Sequence, residues 1–168
     1  MAQVPLLGMY KFDDHTRALQ AEAISEVLTV APGEKRTGLG SYGLPPPCRT
    51  LANSVRRGMG PALELWASNA DVAISDLVKP YYRPEAFRLQ KGCSIWSAPG
   101  HVTLLMPLTR VPVKMYVIPR GSNRPVPSVW NPGMVLFLNE LGIQVYGTGS
   151  VRFVYILLRK DAIVQPQQ

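Results

Sequence analysis

The sequence predicts an α+β fold, in which N-terminal helices pack on a C-terminal antiparallel β-sheet, a partly closed β-barrel or a jelly-roll-like sandwich. Apolar residues recur at helical spacing up to Pro80, and beyond it they alternate with polar residues as in strands. The helices therefore precede the strands, an order typical of α+β domains. A chain of 168 residues has room for one ordinary core, so we expect a single domain over residues 1–168.

We expect residues 1–80 to be mainly helical, residues 81–160 to be mainly β and residues 161–168 to form a tail. The segment 33–47 is rich in glycine and proline, which predicts a long ordered loop or a flexible linker. It ends in Pro45, Pro46 and Pro47, which favour a stiff polyproline II spacer. A partner that recognises this proline motif is the alternative.

Three helices are predicted after a short apolar arm, Val4–Met9, which is either a strand or a docking segment. Asp13 or Asp14 can cap the first helix, and a second, short helix covers Cys48–Arg57. The third begins at Pro61 and stops before Pro80. Their apolar residues recur three or four positions apart: Leu19, Ala23, Ile24, Val27 and Leu28; Leu51 and Val55; Leu63, Trp66, Ala67, Ala70, Ile74, Leu77 and Val78. At this spacing Trp66 belongs to the core rather than to a base-stacking site.

Five or six strands are predicted beyond Pro80. Cys93–Ser97, Val102–Met106 and Val113–Ile118 read as strands, and a proline-rich loop follows over Pro119–Pro132. The segment Pro132–Lys160 predicts a buried meander of three strands. Its last strand is apolar on both faces, so we expect it to be central and covered on each side. The core residues predicted here are Phe137, Val145, Phe153, Tyr155 and Leu157.

The formal charge is +7, and the basic residues concentrate in two segments without acidic residues, between Glu34 and Glu64 and between Glu85 and Glu140. Such segments favour a positive face that binds phosphate groups of nucleic acid or anionic lipid. A basic surface that serves only solubility is the alternative. The predicted polyanion-binding residues are Arg56, Arg57, Arg88, Lys91, Arg110, Lys114, Arg120 and Arg124.

Cys48 and Cys93 stand far apart and form no C-x-x-C motif or Cys/His cluster, so we expect neither a disulfide framework nor a zinc site. The N-terminus lacks the basic start and long apolar centre of a secretory signal. We therefore expect an intracellular protein that is soluble or peripheral to a membrane and is not secreted.

Recognisable catalytic motifs are missing from the sequence. It contains no G-x-S-x-G, no P-loop and no G-x-G-x-x-G. If Cys93 and His101 flank a hairpin at Ala98–Gly100, the spacing along the strands keeps them too far apart for a nucleophile and base. We predict no cofactor and favour a protein that is not an enzyme.

The order of elements from Val113 to Arg159 is a strand, a proline-rich loop, a strand led by Pro-Gly, a turn and a final strand with an early arginine. It resembles the closing half of double-stranded β-helix oxygenases and cupins. Those families hold iron with two histidines and a carboxylate. Here the β region has His101 alone and no acidic residue from Ala86 to Asn139, and the corner of the distal ligand reads Gly142-Ile143-Gln144. The resemblance implies a metal-free relative that binds a small ligand or acts as an isomerase-type enzyme.

By elimination, the main functional prediction is a structural or assembly protein. It would self-associate into a homo-oligomer and bind nucleic acid or an anionic membrane through its basic face, as viral matrix and capsid proteins do, and would then reside in the virion. A second form is a nucleic-acid-binding module with a stacking strip; the rings would otherwise anchor the helices on the sheet. The strip comprises Tyr81, Tyr82, Arg83, Phe87 and Arg88. The metal-free relative of the double-stranded β-helix is the alternative function.

Overall fold

The computed structural model describes residues 7–58, 60–69, 84–122, 124–146 and 149–159, and these form helices on one side of two antiparallel sheets. The helices are α1 (Asp14–Val27), α2 (Pro46–Gly58) and α3 (Gly60–Asn69). The strands are β1 (Leu7–Lys11), β2 (Gly33–Arg36), β3 (Leu39–Gly43), β4 (Glu85–Gln90), β5 (Ser94–Trp96), β6 (His101–Pro107), β7 (Val113–Pro119), β8 (Val126–Trp130), β9 (Met134–Leu138), β10 (Leu141–Val145) and β11 (Ser150–Arg159).

The larger sheet has seven described strands in the order β1-β9-β6-β11-β4-β3-β2, and the smaller has four in the order β5-β10-β7-β8. From β4 onward the chain crosses repeatedly between the two sheets, which gives a jelly-roll, cupin-like arrangement. The structure is thus mostly β with few helices. This confirms the antiparallel jelly-roll-like sheet and is broadly consistent with helices packed on it.

Each face of the larger sheet covers a separate core. On the outer face, α1, α2 and α3 pack over side chains such as Leu104, Phe137 and Ile156. The inner face packs against the smaller sheet through side chains such as Trp130 and Phe153. Strand β11 is buried between these layers and pairs with β6 on one side and β4 on the other. The prediction of a central last strand is confirmed.

Local chemistry explains where α1 begins and how it is fixed. Asp13 accepts a hydrogen bond from the Thr16 amide at 2.7 Å, and hydrogen bonding to Thr16 lowers the pKa of the Asp13 carboxyl. The buried Gln20 donates to the carbonyl oxygens of Pro107 at 2.8 Å and Pro132 at 2.6 Å. These bonds connect the helix to the end of β6 and to the loop before β9. The predicted first two helices are confirmed, and the predicted third is confirmed as far as Asn69. Its continuation to Lys79 lies outside the described residues.

Four of the five predicted core residues are buried: Phe137, Val145, Phe153 and Leu157. Tyr155 differs, because its side chain is only partly buried. It packs at the edge of the inner core, where the two sheets part and a cavity opens. Trp66 is 2% exposed and meets the Phe137 ring edge-on at 5.6 Å between centroids, so its predicted core role is confirmed.

Three expectations about the strands are wrong. The predicted loop or linker over 33–47 contains the β2–β3 hairpin, and the predicted proline-rich loop over 119–132 contains the edge strand β8. The predicted three-stranded meander does not exist as one sheet, because β10 lies in the smaller sheet while β9 and β11 lie in the larger. Proline tolerates an edge position, where one side of the strand needs no amide donor, and this explains Pro127 in β8.

The hairpin considered at Ala98–Gly100 does not form, since β5 pairs with β10 and β6 pairs with β9 and β11. Both cysteines are free. Burial, with a smaller contribution from Glu26, raises the pKa of the Cys48 thiol to about 12.

No helix among the described residues is long and apolar enough to span a membrane.

Candidate ligand pocket

A cavity of about 710 Å³ opens where the edges of the two sheets separate. Strands β2, β3, β4 and β11 of the larger sheet form one wall, and β5 with the turn after it forms the other. The lining residues are Lys35, Arg36, Leu39, Glu85, Phe87, Ile95, Trp96, Ala98, Tyr155 and Leu157. Most of these side chains are apolar or aromatic, and the three charged ones come from β2 and the start of β4.

The aromatic wall of the pocket is built by neighbouring strands. Tyr155 in β11 meets the Phe87 ring of β4 edge-on, with centroids 5.8 Å apart. Burial raises the pKa of the Tyr155 phenol. The phenol therefore stays protonated at neutral pH and can donate a hydrogen bond to a ligand.

The charged rim is held by a defined set of contacts. Lys35 Nζ lies 3.1 and 3.2 Å from the two oxygens of the Glu85 carboxylate, which also accepts a hydrogen bond from the Ser41 hydroxyl. Arg36 Nη2 donates to the Ser94 carbonyl oxygen at 2.6 Å. Arg36 therefore connects the β2–β3 hairpin of the larger sheet to β5 of the smaller one. This connection between the two sheets forms one side of the pocket mouth.

The hairpin that presents Lys35 and Arg36 depends on its turn. Gly38 has φ 79°, a value that favours glycine. Its carbonyl oxygen accepts a hydrogen bond from the Gln90 amide at 2.9 Å, and the Cys93 sulfur occupies the space where a Cβ would project. The turn is thus fitted against the β4–β5 connection, next to the pocket.

The residues at the paired strands β5 and β10 do not fit an iron site. Ile95 and Ile143 lie directly opposite each other, and both are buried between the sheets. The Ser97 hydroxyl accepts a hydrogen bond from the Leu141 amide at 3.0 Å. On the outer side of this pair, Trp96 packs closely over Gly142. Among the described residues, no three His, Cys, Asp or Glu side chains are grouped to hold a metal ion. An isoleucine side chain has no nitrogen or oxygen atom that could bind iron. The inward-facing positions of β5 and β10 therefore cannot supply the ligands that iron requires.

The structure distributes the predicted polyanion-binding residues over several surfaces. Arg56 and Arg57 lie in the last turn of α2, on the helix side of the larger sheet. Lys114 is exposed on the outer face of the smaller sheet, so the molecule separates it from the α2 pair. Arg88 lies in β4, Lys91 in the turn after it, and Arg110 and Arg124 in the loops before β7 and β8. Polyanion binding by these residues stays a prediction.

Arg120 belongs to this set and makes several defined contacts. Its Nε lies 2.9 Å from the Glu140 carboxylate, its Nη2 donates to the Ser97 carbonyl oxygen at 2.7 Å, and its guanidinium lies 5.7 Å from the Trp96 ring centre. Arg120 therefore connects the ends of β7, β9 and β5 near the pocket.

The predicted stacking strip falls partly outside the described residues, which include neither Tyr81, Tyr82 nor Arg83. Phe87 and Arg88 are adjacent in β4, so their side chains point to opposite faces of the sheet. Phe87 belongs to the inner core and lines the pocket. It packs within the protein rather than on an exposed surface.

Sequence reasoning missed Lys35, Arg36, Glu85 and the pocket role of Tyr155. Two signals were present. A Thr-Gly turn stands between charged and apolar residues, as in a hairpin, and Tyr155 is the most polar inward-facing residue in an otherwise apolar part of β11.

No protein-family model and no curated protein sequence matches the chain. Solved structures with the same fold do match. HygX from Streptomyces hygroscopicus, with nickel and 2-oxoglutarate bound, is 12% identical with a TM-score of 0.58, over 93% of this chain and 83% of that one. The rice dioxygenase for auxin oxidation is 13% identical with a TM-score of 0.58, over 93% and 74%. A Burkholderia pseudomallei oxidoreductase of the 2OG-Fe(II) oxygenase family is 17% identical with a TM-score of 0.55, over 92% and 84%.

These likenesses correct the main functional prediction. The interpretation as a viral matrix-like or capsid-like, RNA-binding structural protein is wrong, because the similar structures include a dioxygenase and a member of the 2OG-Fe(II) oxygenase family rather than viral structural proteins. They favour the alternative, a relative of the double-stranded β-helix. At such low identity the likeness shows the fold alone, a jelly-roll like that of these structures.

Proposed function

We propose that this protein binds a small, largely apolar ligand in the pocket between its two sheets, without a metal ion. The observation that carries this proposal is the pocket itself. Its volume of about 710 Å³ falls among those of small-molecule sites, which are typically about 300–1,000 Å³. Like them, it combines apolar and aromatic walls with a few polar groups.

The proposal of a metal-free site rests on the inward-facing side chains of β5 and β10. Ile95 and Ile143 occupy facing inward positions of β5 and β10, and the Ser97 hydroxyl is engaged by a backbone amide. Oxidation by an iron centre needs nitrogen and oxygen ligands that these residues do not offer. The oxygenase architecture therefore serves here as a scaffold for binding.

Binding is favoured over isomerisation because the candidate base is already engaged. Glu85 stands directly opposite Tyr155 in the β4–β11 register. Its carboxylate is already held by Lys35 and Ser41, so a substrate would have to displace these partners to reach it. Tyr155 keeps its proton and supplies a hydrogen-bond donor.

Filling the pocket tests the proposal. Ala98 lines the pocket and is half-buried, so Ala98→Trp places an indole in the space of the ligand. We expect a fragment library, screened by ligand-observed NMR against the full chain, to yield hits that Ala98→Trp abolishes. Ala21→Trp adds the same ring on an exposed position of α1 and should keep the hits. Hits that survive Ala98→Trp, or no hits to the parent, would contradict the proposal, provided both variants keep the parent's melting temperature.

A further inference from the structure

We propose that the ligand is an amphipathic monoanion, whose apolar body lies against the aromatic wall and whose carboxylate binds Arg36 at the rim. This inference rests on the proposed function and names the chemical class of the ligand. It follows from how the three charges that line the pocket are already used.

Lys35 and Glu85 satisfy each other. The lysine ammonium lies within 3.2 Å of both carboxylate oxygens, and the Ser41 hydroxyl adds a further bond to Glu85. Lys35 also lies 5.8 Å from the centre of the Phe87 ring. A ligand anion at Lys35 would have to compete with a carboxylate that is already in place.

Arg36 is in a different situation. Among the described residues, its hydrogen bonds go to two backbone carbonyl oxygens, that of Ser94 at 2.6 Å and that of Thr37 at 3.5 Å. Carbonyl groups carry no net charge, so these contacts orient the guanidinium without neutralising it. A guanidinium has several N–H groups in a planar fork, and this fork matches a carboxylate.

The net charge of the residues at the rim indicates how many negative charges the ligand carries. The pocket is lined by two cations and by Glu85, which is the acidic residue among its described lining residues. One positive charge is left over, which matches a single carboxylate. A phosphate monoester carries nearly two negative charges at neutral pH and would overcompensate.

The remaining surface selects the body of the ligand. Beyond the rim, the lining residues include Leu39, Phe87, Ile95 and Leu157. Each of these side chains is at most 8% exposed. Burying an apolar or aromatic group against them is favourable in proportion to the area removed from water. The Tyr155 phenol can donate to a polar atom on that group.

Matched probes of one shape test the inference: 3-phenylpropionate, 3-phenylpropionamide, 3-phenylpropylamine and 2-phenylethyl phosphate, titrated into the full chain by calorimetry. We expect the acid to bind about 5- to 10-fold more tightly than the amide, the size of one charge-assisted hydrogen bond at a partly exposed site. The amine and the phosphate should bind more weakly than the acid. Higher salt should reduce the advantage of the acid over the amide.

Variants locate the effect. Arg36→Gln should remove the preference for the acid over the amide, whereas Arg36→Lys should keep part of that preference. Arg110→Gln, which removes an exposed arginine from the loop before β7, is the matched control and should change nothing.

The outcomes separate this inference from the proposed function. An amide that binds as tightly as the acid, a phosphate that binds more tightly than the acid, or a preference that survives Arg36→Gln would overturn the inference and leave the pocket as a binding site. If none of the four probes binds and the fragment screen also yields no hit, the proposed function itself fails.

Discussion

Replacing Phe153 by alanine is expected to lower the free energy of unfolding by about 3–5 kcal/mol. The ring is fully buried at the centre of the inner core, with the Trp130 ring centre 6.2 Å away and the Phe87 ring centre 5.9 Å away. Its removal leaves a cavity between two hydrogen-bonded sheets, which have little freedom to collapse into it. Urea denaturation followed by tryptophan fluorescence measures the loss.

Val111→Ala is the control for this substitution. Val111 is 58% exposed, so its truncation should change stability by no more than about 0.5 kcal/mol. A loss below about 1 kcal/mol for Phe153→Ala would mean that β11 is not the centre of the fold.

Gly38→Ala is expected to destabilise the protein and weaken ligand binding together. The left-handed backbone alone costs a non-glycine residue about 1–2 kcal/mol. The new Cβ would in addition overlap the Cys93 sulfur, so the hairpin that carries Lys35 and Arg36 must shift. Urea denaturation and titration of a pocket ligand measure the two effects.

Gly121→Ala provides a matched control. Gly121 has φ 78°, nearly the value at Gly38, but no atom lies within 4 Å of the position of its Cβ. Gly121→Ala should therefore lose only the stability that the left-handed backbone costs, and its affinity for the ligand should equal that of the parent. Cys93→Ala combined with Gly38→Ala should recover part of the lost stability. Equal losses for Gly38→Ala and Gly121→Ala would show that the contact with Cys93 does not position the hairpin.

Strong hydrophobic patterns predicted their elements well. Strand β11 is apolar on both faces, and this pattern correctly places it between two buried layers. The helix-period residues Leu51 and Val55 are both buried under α2. Strand β2 has every residue exposed, so no hydrophobic periodicity marks it, and β8 has a mostly exposed pattern interrupted by Pro127. Edge strands bury few side chains, so the hydrophobic pattern that would mark them in a single sequence is weak.

Pairing between strands was harder to predict than their existence. Strands β9, β10 and β11 follow one another with short connections, which favours a meander, yet β10 belongs to the other sheet. The choice depends on long-range packing of inward residues such as Ile143 against Ile95, and local spacing does not contain it. For the same reason the pocket escaped prediction, because Arg36, Phe87 and Tyr155 come together only when the sheets close.

The central claim is that the pocket binds its ligand without a metal ion. The dissociation constant of the strongest fragment hit, measured by calorimetry with the full chain, tests this most directly when it is determined in EDTA and again anaerobically with Fe(II) and 2-oxoglutarate. We predict the same dissociation constant in both conditions and no stoichiometric iron on the protein after desalting. Binding that requires Fe(II), or one iron retained per chain, would contradict the claim.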